Sequence, residues 1–178
     1  MLAGMRRPSL DQPSLPAFSA FSRNAAELWP ITNLPLLGWL LLALMPKWKW
    51  TKHVSLLLAL LLALVYVGCV LSVFFKETED RPPDFSTLAG VVSLFSDANG
   101  NTDPNAVFVG WLHYLVFDLL VGRGIVLDAQ SRGVSTTQHV LMVVPCLFLT
   151  LMLGPLGFVS YVTLVRLGLL DGVRPKLD

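Results

Sequence analysis

Four long apolar stretches separated by short polar connections organise this chain. The first runs over about 26–45, around "PITNLPLLGWLLLALM". Pro30 and Pro35 make its first half irregular, because each removes a backbone donor. It stops sharply at "PKWKW", where Lys47, Trp48, Lys49 and Trp50 crowd together as at a lipid headgroup boundary. The second stretch, His53 to Phe75, holds no charge across more than the roughly 20 residues needed to cross hydrocarbon. The third covers about 105–122 and the fourth about 139–167, the latter interrupted by Pro145, Gly154-Pro155 and Gly157. Breakers are tolerated where neighbouring helices re-satisfy the freed carbonyls, so the fourth is expected to be one kinked, protein-facing helix.

The longest polar connection, 76–104, is rich in acidic residues. Within it Phe85, Leu88, Val91 or Val92, and Phe95 recur at helical spacing, with Asp84 as the expected N-cap. That segment is too short to span, so an amphipathic helix at the interface or against the bundle is predicted. "DANGNTDPN" has the opening of a calcium loop, but Thr102 replaces the required Gly and Phe108 the bidentate Glu. It reads as a turn. The expected fold is therefore all-α: a polytopic membrane protein with four transmembrane helices in a mainly antiparallel bundle, plus one short amphipathic helix between spans two and three. Residues 1–25 form a flexible tail or a targeting remnant, 26–168 the transmembrane domain, and 169–178 a polar C-terminal tail.

Composition agrees. Of 178 residues, 54% are hydrophobic and 14% charged, against about 25% charged in soluble domains, and mean hydropathy is +0.64. A net charge of +1, with no basic patch interleaved with aromatics, argues against nucleic acid as a partner. Cys69 and Cys146 sit in apolar runs and read as small buried side chains. No CxxC or His/Cys metal spacing occurs. The lysines after span one place that loop inside by the positive-inside rule, with both termini outside, while the arginines of the two tails argue the reverse.

The third stretch, "GWLHYLVFDLLVGRG", carries His113, Asp118 and Arg123 inside apolar sequence. A lipid-facing carboxylate costs roughly 2.5–3.5 kcal/mol at mid-membrane, so Asp118 and His113 are expected to face other helices or a wet cavity. Trp111, Tyr114 and Asp118 share a helical stripe, while His113 lies about 140° away from Asp118. Structural roles compete: Asp118 bonded to a neighbouring hydroxyl, His113 a satisfied bundle histidine, Arg123 snorkelling to headgroups. Asp128 and Arg132 are expected in the connecting loop, where spacing alone gives them no role.

The order of motifs adds a resemblance. "LGWLLLALMPKWKWT" (37–51), "FSTLAGVVSLFSD" (85–97), "GWLHYLVFDLLVGRGIVLDA" (110–129) and "VVPCLFLTLMLGPLGF" (143–158) resemble the abscisic-acid-deficient-4-like family of plastid and bacterial membrane proteins. Its plant members are needed to make neoxanthin from violaxanthin. Many members carry an aromatic residue directly after the arginine, where this chain has Gly124.

The resemblance implies carotenoid chemistry: a 5,6-epoxide opens and the adjacent C7 hydrogen leaves, giving an allene and a tertiary alcohol. No electrons are exchanged, so no cofactor or metal is implied. An acid must protonate the epoxide oxygen and a base must take the C7 proton. Asp118, whose neutral acid is favoured by desolvation, and His113 are the implied catalytic pair. Arg123 could hold Asp118 ionised and exchange their roles. Tyr114, Trp111, Arg123, Asn33, Thr150 and Asp128 are the implied substrate-binding residues. The implied partners are a carotenoid substrate or pigment, membrane lipid, and other membrane proteins. The implied location is a plastid thylakoid or envelope membrane, or a bacterial inner membrane. A non-catalytic carotenoid-binding or assembly subunit is the alternative. A transporter is disfavoured because four spans without a repeat leave little room for alternating access.

Overall fold

The computed structural model describes residues 25–77, 84–97 and 99–170, and of 73–77 the backbone alone. Of the expected tails, 1–25 and 169–178, residues 1–24 and 171–178 lie outside the described residues.

Four helices are long and apolar enough to cross a membrane: α1 Ala25–Leu44, α2 Thr51–Glu77, α4 Pro104–Ser131 and α5 Thr136–Leu153. The early prolines of α1 act as expected. Residues Trp29–Asn33 tighten into a 3-10 turn before regular helix resumes at Leu34. The interfacial helix α3 is short, Leu88–Ser93, and its N-cap is Thr87 rather than Asp84. The Asp84 carboxylate instead accepts from Ser86 and Thr87, closing a turn ahead of the cap. Leu88 and Val92 stay exposed, as expected for a helix lying at an interface. "DANGNTDPN" is a turn, its Asp97 side chain accepting from the backbone N–H groups of Asn99 and Asn101.

Helix α4 is the centre of the bundle. Asp103 caps it with Pro104 at its first position. Phe108, Leu112, Val116, Leu119, Gly122, Val126 and Ala129 then form a buried stripe along its whole length. This helix runs to Ser131, nine residues past the expected end. Nothing in "RGIVLDAQS" breaks a helix, and Gly124 alone does not stop one.

The largest departure comes after α5. A reversal separates α5 from α6, Pro155–Arg166, instead of one kinked helix over 139–167. Gly154 turns the chain with φ +49° and ψ −103°, a backbone conformation open to glycine. Helix α6 then runs back along α5 until the Gln138 amide at the start of α5 donates to the Leu169 carbonyl. Gly157 allows the close approach: a methyl there would collide with the Thr150 backbone nitrogen and hydroxyl and with the Cys146 carbonyl. The fourth span is thus α5 alone, with α6 folded back beside it. Because of the reversal, the described termini lie at opposite ends of the bundle. Ala25 donates to Asn105 at the start of α4, while Leu169 sits beside Gln138. The expectation of two termini on one side is overturned.

Among lipid tails, helices associate through close packing rather than hydrophobic transfer. The contacts at Gly157, at Gly122 beneath the Trp39 ring, and at Gly38 against Leu119 supply that packing. Cys69 and Cys146 are buried free thiols. Replacing Gly157 by Ala is expected to cost about 1–3 kcal/mol of stability, since two of the three atoms in its way are backbone. Gly124→Ala, with no atom within 4 Å of the added methyl, should be neutral or gain up to about 1 kcal/mol. Unfolding of both variants in detergent checks this, and equal effects would refute it.

Candidate functional site

The polar residues expected in the bilayer do not gather in one place. Asp118 is half-buried and lies against the reversal, where a β-carbon at Gly154 would sit 3.1 Å from its Oδ1. Its carboxylate accepts no hydrogen bond among the described residues. His113 is exposed on the outer face of α4, in ring contact with Phe117 (4.6 Å) and with Tyr66 of α2 (5.6 Å). This corrects the expectation that it faces inward. Leu112 belongs to the buried stripe, and a residue one position on is turned about 100° away.

Trp111 and Tyr114 are likewise exposed, 47% and 62%, and Asn33 is exposed on α1. Thr150 is fully buried, its hydroxyl donating to the Cys146 carbonyl beneath Gly157. Arg123 reaches sideways to α2, where its Nε donates to the Lys52 carbonyl at 3.0 Å. No single site unites Asp118, His113 and these five residues.

A different constellation forms where α6 returns beside α4. Asp128, expected in a loop, is helical, and Arg132 is the residue capping that helix. Four residues apart, they pair at 2.6 Å through Arg132 Nε and Asp128 Oδ2. The Tyr161 hydroxyl of α6 donates to the same Oδ2 at 2.7 Å. Tyr161 is 4% exposed, whereas the ion pair is partly open, so the pair contributes orientation more than stability. Arg132 lies just beyond the span, and the Asp128 carboxylate beside it pushes its guanidinium above the usual value, keeping it charged.

These three groups line one groove of about 480 Å³ between α4 and α6. Gly124, Asp128 and Arg132 are spaced four apart, so they follow one stripe of α4. Phe158, Val162 and Val165 supply the apolar wall from α6, and Arg166 adds a second cation near the open end. Gly124 leaves the apolar end open, with nothing within 4 Å of where its side chain would begin. The groove therefore grades from hydrocarbon to carboxylate, phenol and guanidinium, a surface suited to an amphiphile with a hydroxylated or oxygenated end. Of its residues only Asp128 was among the implied substrate-binding residues, with Gly124 noted as a departure from the family pattern. Tyr161 carried no signal, because only the reversal at Gly154 brings it to α4. His139 was also missed: it is buried in a π-helical turn of α5, its Nε2 3.2 Å from the Ala43 carbonyl.

The ABA DEFICIENT 4-like family matches residues 28–161, most of the described chain and all four spans except their margins. No curated protein and no solved structure matches the chain.

The Asp128–Tyr161 contact is testable by a double-mutant cycle. Asp128→Asn, Tyr161→Phe and the double variant should show a coupling on the order of 1 kcal/mol in unfolding measurements. Strictly additive losses would mean that the two side chains do not meet.

Proposed function

The chain belongs to the ABA DEFICIENT 4-like family, whose match takes in its four membrane-spanning helices apart from the first three residues of α1, and we propose that it isomerises an epoxycarotenoid such as violaxanthin to an allenic product such as neoxanthin. The family match supports a role in xanthophyll metabolism. The groove between α4 and α6 supports the finer reading, and one observation carries it. A phenol and a carboxylate share a hydrogen bond at the polar end of an apolar groove that is open along a membrane helix.

The end ring of the substrate enters past Gly124, with its polyene against Phe158 and Val162. Tyr161 gives its proton to the epoxide oxygen as the C–O bond breaks. Arg132, in electrostatic contact with Tyr161, offsets the charge left on the phenolate. Asp128 takes the C7 proton, and the electrons of that C–H bond complete the allene. The tertiary alcohol keeps the proton that came from Tyr161, and Asp128 returns its own to the phenolate along their hydrogen bond. Atoms, charge and electrons balance without a redox partner. Asp128 and Tyr161 thus take the acid–base roles that the resemblance implied for Asp118 and His113, because His113 faces outward and Asp118 lies against Gly154. The membrane would be a plastid thylakoid or envelope membrane in a photosynthetic eukaryote and the inner membrane in a bacterium.

The purified chain in detergent, given violaxanthin, is expected to yield neoxanthin without another protein. Asp128→Asn should lower turnover at least about 100-fold, in the range of a lost general base, while pigment still co-purifies. Pigment bound but unchanged by the wild-type chain would favour the carotenoid-binding subunit instead, and full activity of Asp128→Asn would remove the groove from the reaction.

A further inference from the structure

A second site lies at the end of the bundle where α1 passes into α2. The connecting residues are fixed by their own backbone bonds: Trp48 N–H to the Met45 carbonyl, Thr51 N–H to Trp48, and His53 and Val54 N–H to Trp50. The Thr51 hydroxyl also donates to the Met45 carbonyl at 2.6 Å. This rigid turn presents Lys47, Lys49 and Lys52, and Arg123 of α4 joins them through its bond to the Lys52 carbonyl. Together the four cations line one pocket of about 190 Å³. No carboxylate lines it, and none of the four forms an ion pair among the described residues.

Two of the cations are held from one side only. Lys47 Nζ donates to the Thr136 hydroxyl at 3.2 Å, and Arg123 uses Nε, with the fork of its guanidinium remaining for a ligand. Lys49 Nζ lies over the Trp50 ring at 5.7 Å, so the lysines collect at this end of the bundle, and an anion entering the cavity would draw their ammonium groups toward it. Trp48 and Trp50, 42% and 51% exposed, mark the headgroup level beside it.

The geometry points to a binding site for a phosphate-type oxyanion carried on an anionic lipid headgroup. The Arg123 fork takes two oxygens, and Lys47, Lys49 and Lys52 supply point charges around the rest. The acyl chains lie along the exposed end of α1 at Leu40 and Leu44. The site is separate from the α4–α6 groove and does not rest on the epoxide chemistry.

The full-length chain, purified into mixed micelles of phosphatidylglycerol and phosphatidylcholine, should retain phosphatidylglycerol selectively in native mass spectrometry. Arg123→Gln should weaken retention about fivefold, the share of one cation near a membrane surface. That change also removes the bond to Lys52. The pair Lys49→Gln and Lys52→Gln, both exposed side chains, tests the charge alone and should weaken retention at least as much. Phosphatidylcholine retained equally, or lysine variants that hold phosphatidylglycerol as well as the wild type, would overturn the site. Inorganic phosphate titrated alone should bind only weakly. Phosphate that displaces the lipid at equal concentration would overturn the lipid as the source of the anion.

Discussion

Tyr161 meets Asp128 because the chain turns back at Gly154, and the return path exists because Gly157 carries no side chain. In water such a hairpin would be driven together by burying apolar surface, but lipid tails are as apolar as the leucines they touch. What holds α6 against α5 is close approach of backbones, and a single methyl at Gly157 would remove it. From that contact follow the direction of α6, the hydroxyl of Tyr161 at the α4 carboxylate, and the groove between the two helices. The same turn places Gly154 beside Asp118, so one reversal positions a group at each of the two carboxylates of α4.

The reversal also orders the charge. Lys47, Lys49, Lys52, Arg123, Arg132 and Arg166 all belong to the end of the bundle where α1 meets α2 and α4 meets α5, whereas Asp84, Asp97 and Asp103 precede α4 at the other end. A continuous fourth span would have carried Arg166 to the acidic end. With α6 folded back, the distribution agrees with the positive-inside rule, which assigns the basic end to the side from which the protein is inserted.

The spans were legible because each is an apolar run bounded by charge, aromatics or proline, and such a run in lipid has few alternatives to a helix. The 3-10 turn of α1 was legible for the same local reason, in Pro30 and Pro35. What was not legible depended on contacts between residues distant in sequence. Gly154-Pro155 is compatible with a kink or a reversal, and the choice lies in whether residue 157 can touch residues 146 and 150. The end of α4 was misjudged because Gly122 and Gly124 resemble a stop. One is small to seat Trp39 and the other faces open space, and neither ends the helix. His113 was expected inside on the cost of exposing a polar side chain, but aromatic neighbours Tyr66, Tyr114 and Phe117 surround its ring. The penalty is moderated by local contact, without burial.

The two carboxylates of α4 answer the cost of intramembrane charge in different ways, and the difference sorts their roles. Asp118 lies at the tip of the hairpin, half-buried beside Gly154, with no side chain bonded to it among the described residues. That arrangement suits a group which fixes the turn. Asp128 has a cation and a phenol on one oxygen and lines the open groove between α4 and α6. Gly124, one turn further into the apolar part of α4, leaves open space beside that groove.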